Sequence, residues 1–85
     1  MNAGAAYTVH LFGPARTAVG AASTRVAVAA PATAGALLQA LAAAHPELAH
    51  LLPRSRVAVN HSYVDAAAAL APGDEVAIIP PVGGG

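Results

Sequence analysis

The stretch Asp74-Glu75-Val76-Ala77-Ile78-Ile79-Pro80-Pro81-Val82-Gly83-Gly84-Gly85 runs from an alternating apolar pattern into a tail almost free of side chains, with two prolines at the junction. Val76 and Ile78 fall on one face and Glu75, Ala77 and Ile79 on the other, the period of a half-buried strand over residues 75–79. Pro72-Gly73-Asp74 supplies the turn that starts it. Pro80 and Pro81 fix φ and direct the following chain away from the sheet, while the glycines remove every Cβ near the end. Fully extended, residues 80–85 span roughly 20 Å, enough to thread a tunnel in another protein. The chain thus reads as a domain over residues 1–79 and an extended, flexible C-terminal tail over residues 80–85.

Upstream, residues 56–60 form a third strand and residues 62–64 a short fourth. Pro31-Ala32-Thr33 reads as a helix start, with the Thr33 hydroxyl accepting a first-turn N–H, and Leu37, Leu38, Leu41 and Ala44 recur at helical spacing. Pro46 ends that helix near His45. Residues 47–52 form a short turn or irregular helix, from which Leu48 and Leu51 close the core. At the other end, Tyr7, Val9 and Leu11 alternate with Thr8, His10 and Phe12 over residues 7–12. Gly13-Pro14 breaks that strand, residues 15–19 read as a short turn of helix, and residues 25–29 return as a strand bearing Val26 and Val28. The order is β-β-α-β-β-β, an α+β domain with one main helix packed across a mixed sheet. The alanines at 66–69 read as a loop or a short helical turn.

Eighty-five residues make one domain with a modest core, since alanine inflates the 56% apolar fraction. Four arginines balance four carboxylates, giving zero formal charge and no basic run. Nucleic acid and anionic membrane are therefore not expected partners. The chain has no cysteine and no lysine, so any sulfur chemistry uses imported sulfur and no side-chain amine is present for isopeptide attachment. Residues 1–6 lack the basic and apolar segments of a signal peptide, and no uninterrupted apolar span has membrane length; the cytoplasm is the expected location. His10, His45, His50 and His61 show no metal-ligand spacing and read as exposed or cap-region histidines. No serine lies in a nucleophile-elbow pattern.

The terminal carboxylate is then the remaining candidate for chemistry. Ionised at neutral pH, it is a poor electrophile and needs activation, such as adenylation, before it reacts. A narrow partner site that admits only backbone explains glycine at the last positions.

Residues 74–82 followed by Gly84 and Gly85 closely resemble the small subunit of molybdopterin synthase. The likeness extends through Leu11-Phe12, Ala15-Arg16, Val19-Gly20, the helix start at Pro31 and Val57-Ala58-Val59-Asn60. The resemblance implies a ubiquitin-like β-grasp fold. It implies that a ubiquitin-activating-like adenylating enzyme consumes ATP to activate Gly85, and that a sulfur donor protein converts it to a thiocarboxylate. The large subunit of molybdopterin synthase then receives the tail, Gly84 and Gly85 leading, and the sulfur passes to cyclic pyranopterin monophosphate. The same resemblance implies that the chain itself binds no cofactor and is no enzyme alone. Phe12, Tyr63 and Ile79, followed by Pro80, Pro81, Val82 and Gly83, are the partner-binding residues so implied, with Arg16 a candidate contact for the adenylating enzyme. By pattern alone Phe12 and Ile79 equally finish a second minor core. Ile79 stands where the family often has an aromatic, and Gly83 where it commonly has a small polar residue. A carrier of the same fold for thiamine or cysteine synthesis, a non-catalytic ubiquitin-like interaction module, and a protein modifier remain alternatives.

Overall fold

The computed structural model describes residues 4–81. Its strands are β1 (Ala5–Leu11), β2 (Ser23–Val28), β3 (Arg56–Val59), β4 (Ser62–Val64) and β5 (Glu75–Ile79); its α-helices are α1 (Gly13–Val19) and α2 (Ala34–Ala44). Single 3₁₀ turns at Pro46–Leu48 and Leu52–Arg54 follow α2. The sheet order is β2-β1-β5-β3-β4, with β1 and β5 parallel and the other neighbours antiparallel. This is the mixed sheet crossed by a helix of the ubiquitin-like β-grasp.

The strand at 75–79 occupies the centre because both its neighbours match its alternation. Val76 lies opposite Val9 and Val59, and Ile78 opposite Leu11 and Val57, so one face becomes a continuous apolar layer. Val9, Val76 and Ile78 are fully buried there, and α2 covers them with Ala34, Leu37 and Leu41. A buried leucine or isoleucine contributes roughly 1.5–3 kcal/mol.

Several boundaries differ from the sequence reading. Phe12 leaves the first strand and becomes the N-cap residue of α1, with extended backbone, because Pro14 in the first turn needs no N–H partner there and presets φ. A full seven-residue helix therefore replaces the expected short turn, closed by Gly20 in the left-handed region at φ 81°. Ala44 lies exposed near the end of α2, beyond the stripe that faces the sheet. In the following turns Leu48 and Leu52 are the fully inward residues, while Leu51 is only partly buried, because the chain restarts a 3₁₀ turn at Leu52 rather than continuing one helix.

The third strand ends at Val59, since Asn60 and His61 both take positive φ (50° and 72°) and form the two-residue turn into β4. Thr33 caps α2 as its sequence suggests, accepting from the Ala36 N–H at 3.1 Å. The alanine loop completes that cap: the Ala34 and Gly35 N–H groups donate to the Ala68 and Ala66 carbonyls, both at 2.9 Å. Gly35 allows this approach, because a Cβ there would meet the Ala66 oxygen at 3.1 Å. At the other end of α2, His45 Nε2 lies 3.0 Å from Thr24 Oγ1, tying the helix terminus to β2 in the cap-region role.

The turn at Asn60 is fastened to the start of β5. Asn60 Nδ2 donates to Asp74 Oδ1 at 2.9 Å, the Ala71 N–H donates to Asp74 Oδ2 at 2.8 Å, and the Glu75 N–H donates to Asn60 Oδ1 at 3.0 Å. The Ala71 N–H first, and then the Asn60 amide, hold the Asp74 carboxyl below its ordinary value of 3.8. A carboxylate with a lowered folded-state pKa contributes stability above its unfolded value and loses it as pH falls through the folded one. Asp74→Ala is therefore expected to lower the urea midpoint at pH 7, with the gap between the two proteins closing as pH drops below about 3.8. Equal midpoints at pH 7 would remove Asp74 from the account.

Candidate functional site

The sheet has a second, uncovered face. Alternation sends Thr8 and His10 of β1, Glu75, Ala77 and Ile79 of β5, Arg56 and Ala58 of β3, and Tyr63 of β4 to this side. Register then sets them in rows. His10 stands beside Ala77, Ala77 beside Ala58, and Ala58 beside Tyr63, so one row crosses four strands with only methyl groups in its middle. The result is a shallow depression of about 330 Å³. Its floor is Ala58 and Ala77; its walls are His10 and Phe12 on one side and Tyr63 and His61 on the other, with Glu75 and Ile79 at the ends.

Phe12 and Tyr63 are the large exposed hydrophobic residues of the described chain, at 50% and 56% exposure. Because Leu11 pairs with Ile78, the next residues along, Phe12 and Ile79, come to the same end of the sheet. Phe12, Tyr63 and Ile79 therefore line one depression, and the inner core is complete without them. An exposed apolar concavity with a polar rim is the usual form of a protein contact surface.

A second depression of about 390 Å³ adjoins the first, sharing Tyr63 and Ile79 and adding Arg54, Arg56, Pro80 and Pro81. Pro80 is buried, so β5 continues one residue into packed structure before the chain emerges at the exposed Pro81. The Arg56 guanidinium lies over the Tyr63 ring, 4.0 Å from its centroid. Arg16 is exposed on α1 and lines neither depression. Val82, Gly83, Gly84 and Gly85 lie outside the described residues.

Alternation in the sequence places His10, Glu75 and Ala77 on this face without marking them as a surface, and it does not single out Ala58, His61, Arg54 and Arg56 as residues that form one. The alternation of residues 56–60 and 75–79 carries the signal for Ala58 and Ala77, but only strand order shows that the two alanines meet. Among the described residues no cluster of three or more metal-ligating side chains occurs. Among them also, no helix is long and apolar enough to cross a membrane.

The ThiS family model matches residues 9–85. Among solved structures, SAMP1 from Haloferax volcanii is 33% identical, with a TM-score of 0.84 over 94% of this chain and 99% of that one. A putative molybdopterin converting factor subunit 1 from Pyrococcus furiosus shares the fold at a TM-score of 0.82 and 22% identity, over 92% of this chain and 99% of that one. Another match comes from a complex of subunits 1 and 2 of the molybdopterin-converting factor from Helicobacter pylori. It is 25% identical, with a TM-score of 0.65 over 94% of this chain and 99% of that one. With its β-grasp sheet, its uncovered face and a family match over nearly its whole length, the chain belongs to the ThiS family and is a sulfur carrier of the ThiS/MoaD type.

Proposed function

We propose that this carrier is the sulfur-donating small subunit of a molybdopterin synthase. A ubiquitin-activating-like enzyme transfers AMP from ATP to the Gly85 carboxylate, releasing pyrophosphate, and hydrosulfide-level sulfur delivered by a donor protein then attacks the acyl carbon and displaces AMP, leaving a thiocarboxylate. The domain docks on the large synthase subunit, which supplies the catalytic side chains, and the thiocarboxylate passes its sulfur to cyclic pyranopterin monophosphate. The observation that carries this reading is the position of Ile79, which is at once a wall of the apolar depression and the last residue of β5. A partner seated on Phe12, Tyr63 and Ile79 is thereby next to the segment that leads to Gly85. The complexed relative from Helicobacter pylori supports a large-subunit partner.

The test is the intact mass of the protein after incubation with ATP, an adenylating enzyme and a sulfur source, followed by the large subunit and the pterin precursor. A sulfur-for-oxygen gain at Gly85 that is lost on adding precursor is expected. A gain that persists moves the carrier to thiamine, cysteine or another pathway, and no gain with a competent activating enzyme removes the thiocarboxylate role.

A second reading has its own support, because the 33% identical SAMP1 structure belongs to a protein described as a small archaeal modifier. The same acyl-adenylate, attacked by a target lysine, gives an isopeptide bond and free AMP. This chain has no lysine of its own, so modification through lysine would yield single additions and no chains built from it.

A further inference from the structure

The depression at the end of β5 carries charge that the domain itself does not use. Arg54 ends the turn Leu52–Arg54, and Arg56 opens β3 directly opposite Ile79. Both are exposed, and among the described residues neither guanidinium joins an ion pair or donates a hydrogen bond. The contact of Arg56 with the Tyr63 ring face uses none of its N–H donors in a hydrogen bond, so they remain available to a partner. Among the described residues the side-chain carboxylates lie elsewhere: Asp74 and Glu75 at the far end of β5, Asp65 in the loop after β4, Glu47 beside His45. Where β5 begins, the uncovered face carries Glu75 with Arg25 in the same row, joined through Thr8; where β5 ends, it carries Arg54 and Arg56 with no described side-chain carboxylate beside them.

We propose that Arg54 and Arg56 are the charge-reading end of the docking surface, and that the partner segment seated there is an acidic stretch of polypeptide. Charge complementarity identifies the occupant, and continuity with the apolar depression through Tyr63 and Ile79 gives its location. Carboxylates placed over the two arginines take bidentate, charge-assisted hydrogen bonds while neighbouring apolar side chains cover Phe12 and Ile79. The inference rests on the docking reading of this face but not on which pathway the carrier serves.

The experiment is an amide NMR titration of the isotope-labelled protein with hexaglutamate, hexalysine and inorganic phosphate, paired with calorimetric binding to a molybdopterin synthase large subunit. The amides of Arg54, Arg56 and Tyr63 are expected to shift with hexaglutamate and not with hexalysine, and to stop shifting in the Arg54→Glu/Arg56→Glu protein. That variant stays folded, losing only the exposed Arg56–Tyr63 contact, and loses about 100-fold in affinity for the large subunit. Absence of hexaglutamate shifts overturns the proposal. Equal shifts with phosphate overturn it in favour of a small-anion site, and a dimer that dissociates in the variant does so in favour of a second copy of this chain. A parent protein that ignores the large subunit yet responds to hexaglutamate defeats the molybdopterin reading and leaves this inference standing. Parent and variant binding the large subunit equally does the reverse.

Discussion

A chain extended by one alanine beyond Gly85 is expected to form no thiocarboxylate and to donate no sulfur, while keeping the melting temperature and large-subunit affinity of the parent. On the proposed reading the reacting atom is the terminal carboxyl carbon. One more residue carries it about 3.3 Å further along the tail and adds a Cβ next to it. A site that accepts an acyl group for adenylation needs it within near-attack distance, and displacement by about 1 Å already costs on the order of 100-fold in rate. Intact-mass measurement after activation reads the first step and pterin conversion reads the second. Sulfur gain by the extended chain at the parent's rate would mean that the carrier chemistry does not use this carboxylate. Loss of binding together with loss of sulfur would point to a tail that contributes to docking as well as to chemistry.

Ala77→Phe is expected to lower affinity for the large subunit by about 100-fold without lowering stability. Ala77 is the middle of the row His10-Ala77-Ala58-Tyr63, and a ring there occupies the floor of the 330 Å³ depression. The fold tolerates it because the side chain projects to the uncovered face, away from the buried Val76 and Ile78, and because an aromatic suits a strand better than alanine does. Ala27→Phe is the control: it lies on the exposed side of edge strand β2, opposite Ala6, away from the depression, and leaves binding unchanged. Calorimetry and thermal melts decide the matter. Unchanged binding by Ala77→Phe would place the partner elsewhere, and a fall in melting temperature would mean that the alanine floor is packed more tightly than its exposure indicates.

Where local chemistry is decisive, sequence and structure coincide. The strand at Glu75–Ile79 agrees to the residue, since a proline-glycine turn begins it, alternation defines it and Pro80 ends it. The Thr33 cap and the helix end at His45 agree for the same kind of reason: a hydroxyl acceptor at one terminus and Pro46 at the other. Agreement fails where two local rules compete. Gly13-Pro14 reads as a breaker behind a strand, yet proline is also well suited to a first helical turn, and the packing of Ala15 into the core selects the helix. Asn60-His61 lacks the glycine that usually announces a two-residue hairpin turn, so the sequence pattern runs the third strand to residue 60, one beyond its end at Val59.

The candidate surface divides along the same line. Period-two alternation alone sends His10, Phe12, Ala77 and Ile79 to the outer face, because successive side chains of a strand point to opposite sides whatever the strand pairs with. The tail, too, is a property of the sequence: prolines and glycines act through their own φ preferences. Which outer residues become neighbours is a matter of strand order, and no local pattern states that β5 lies between β1 and β3. Tertiary structure alone brings Ala58 against Ala77 to make the depression and sets Arg56 opposite Ile79 beside Pro81. Those contacts join residues about 20 positions apart, where burial of the shared apolar layer beneath them, and no preference of the residues themselves, decides the register.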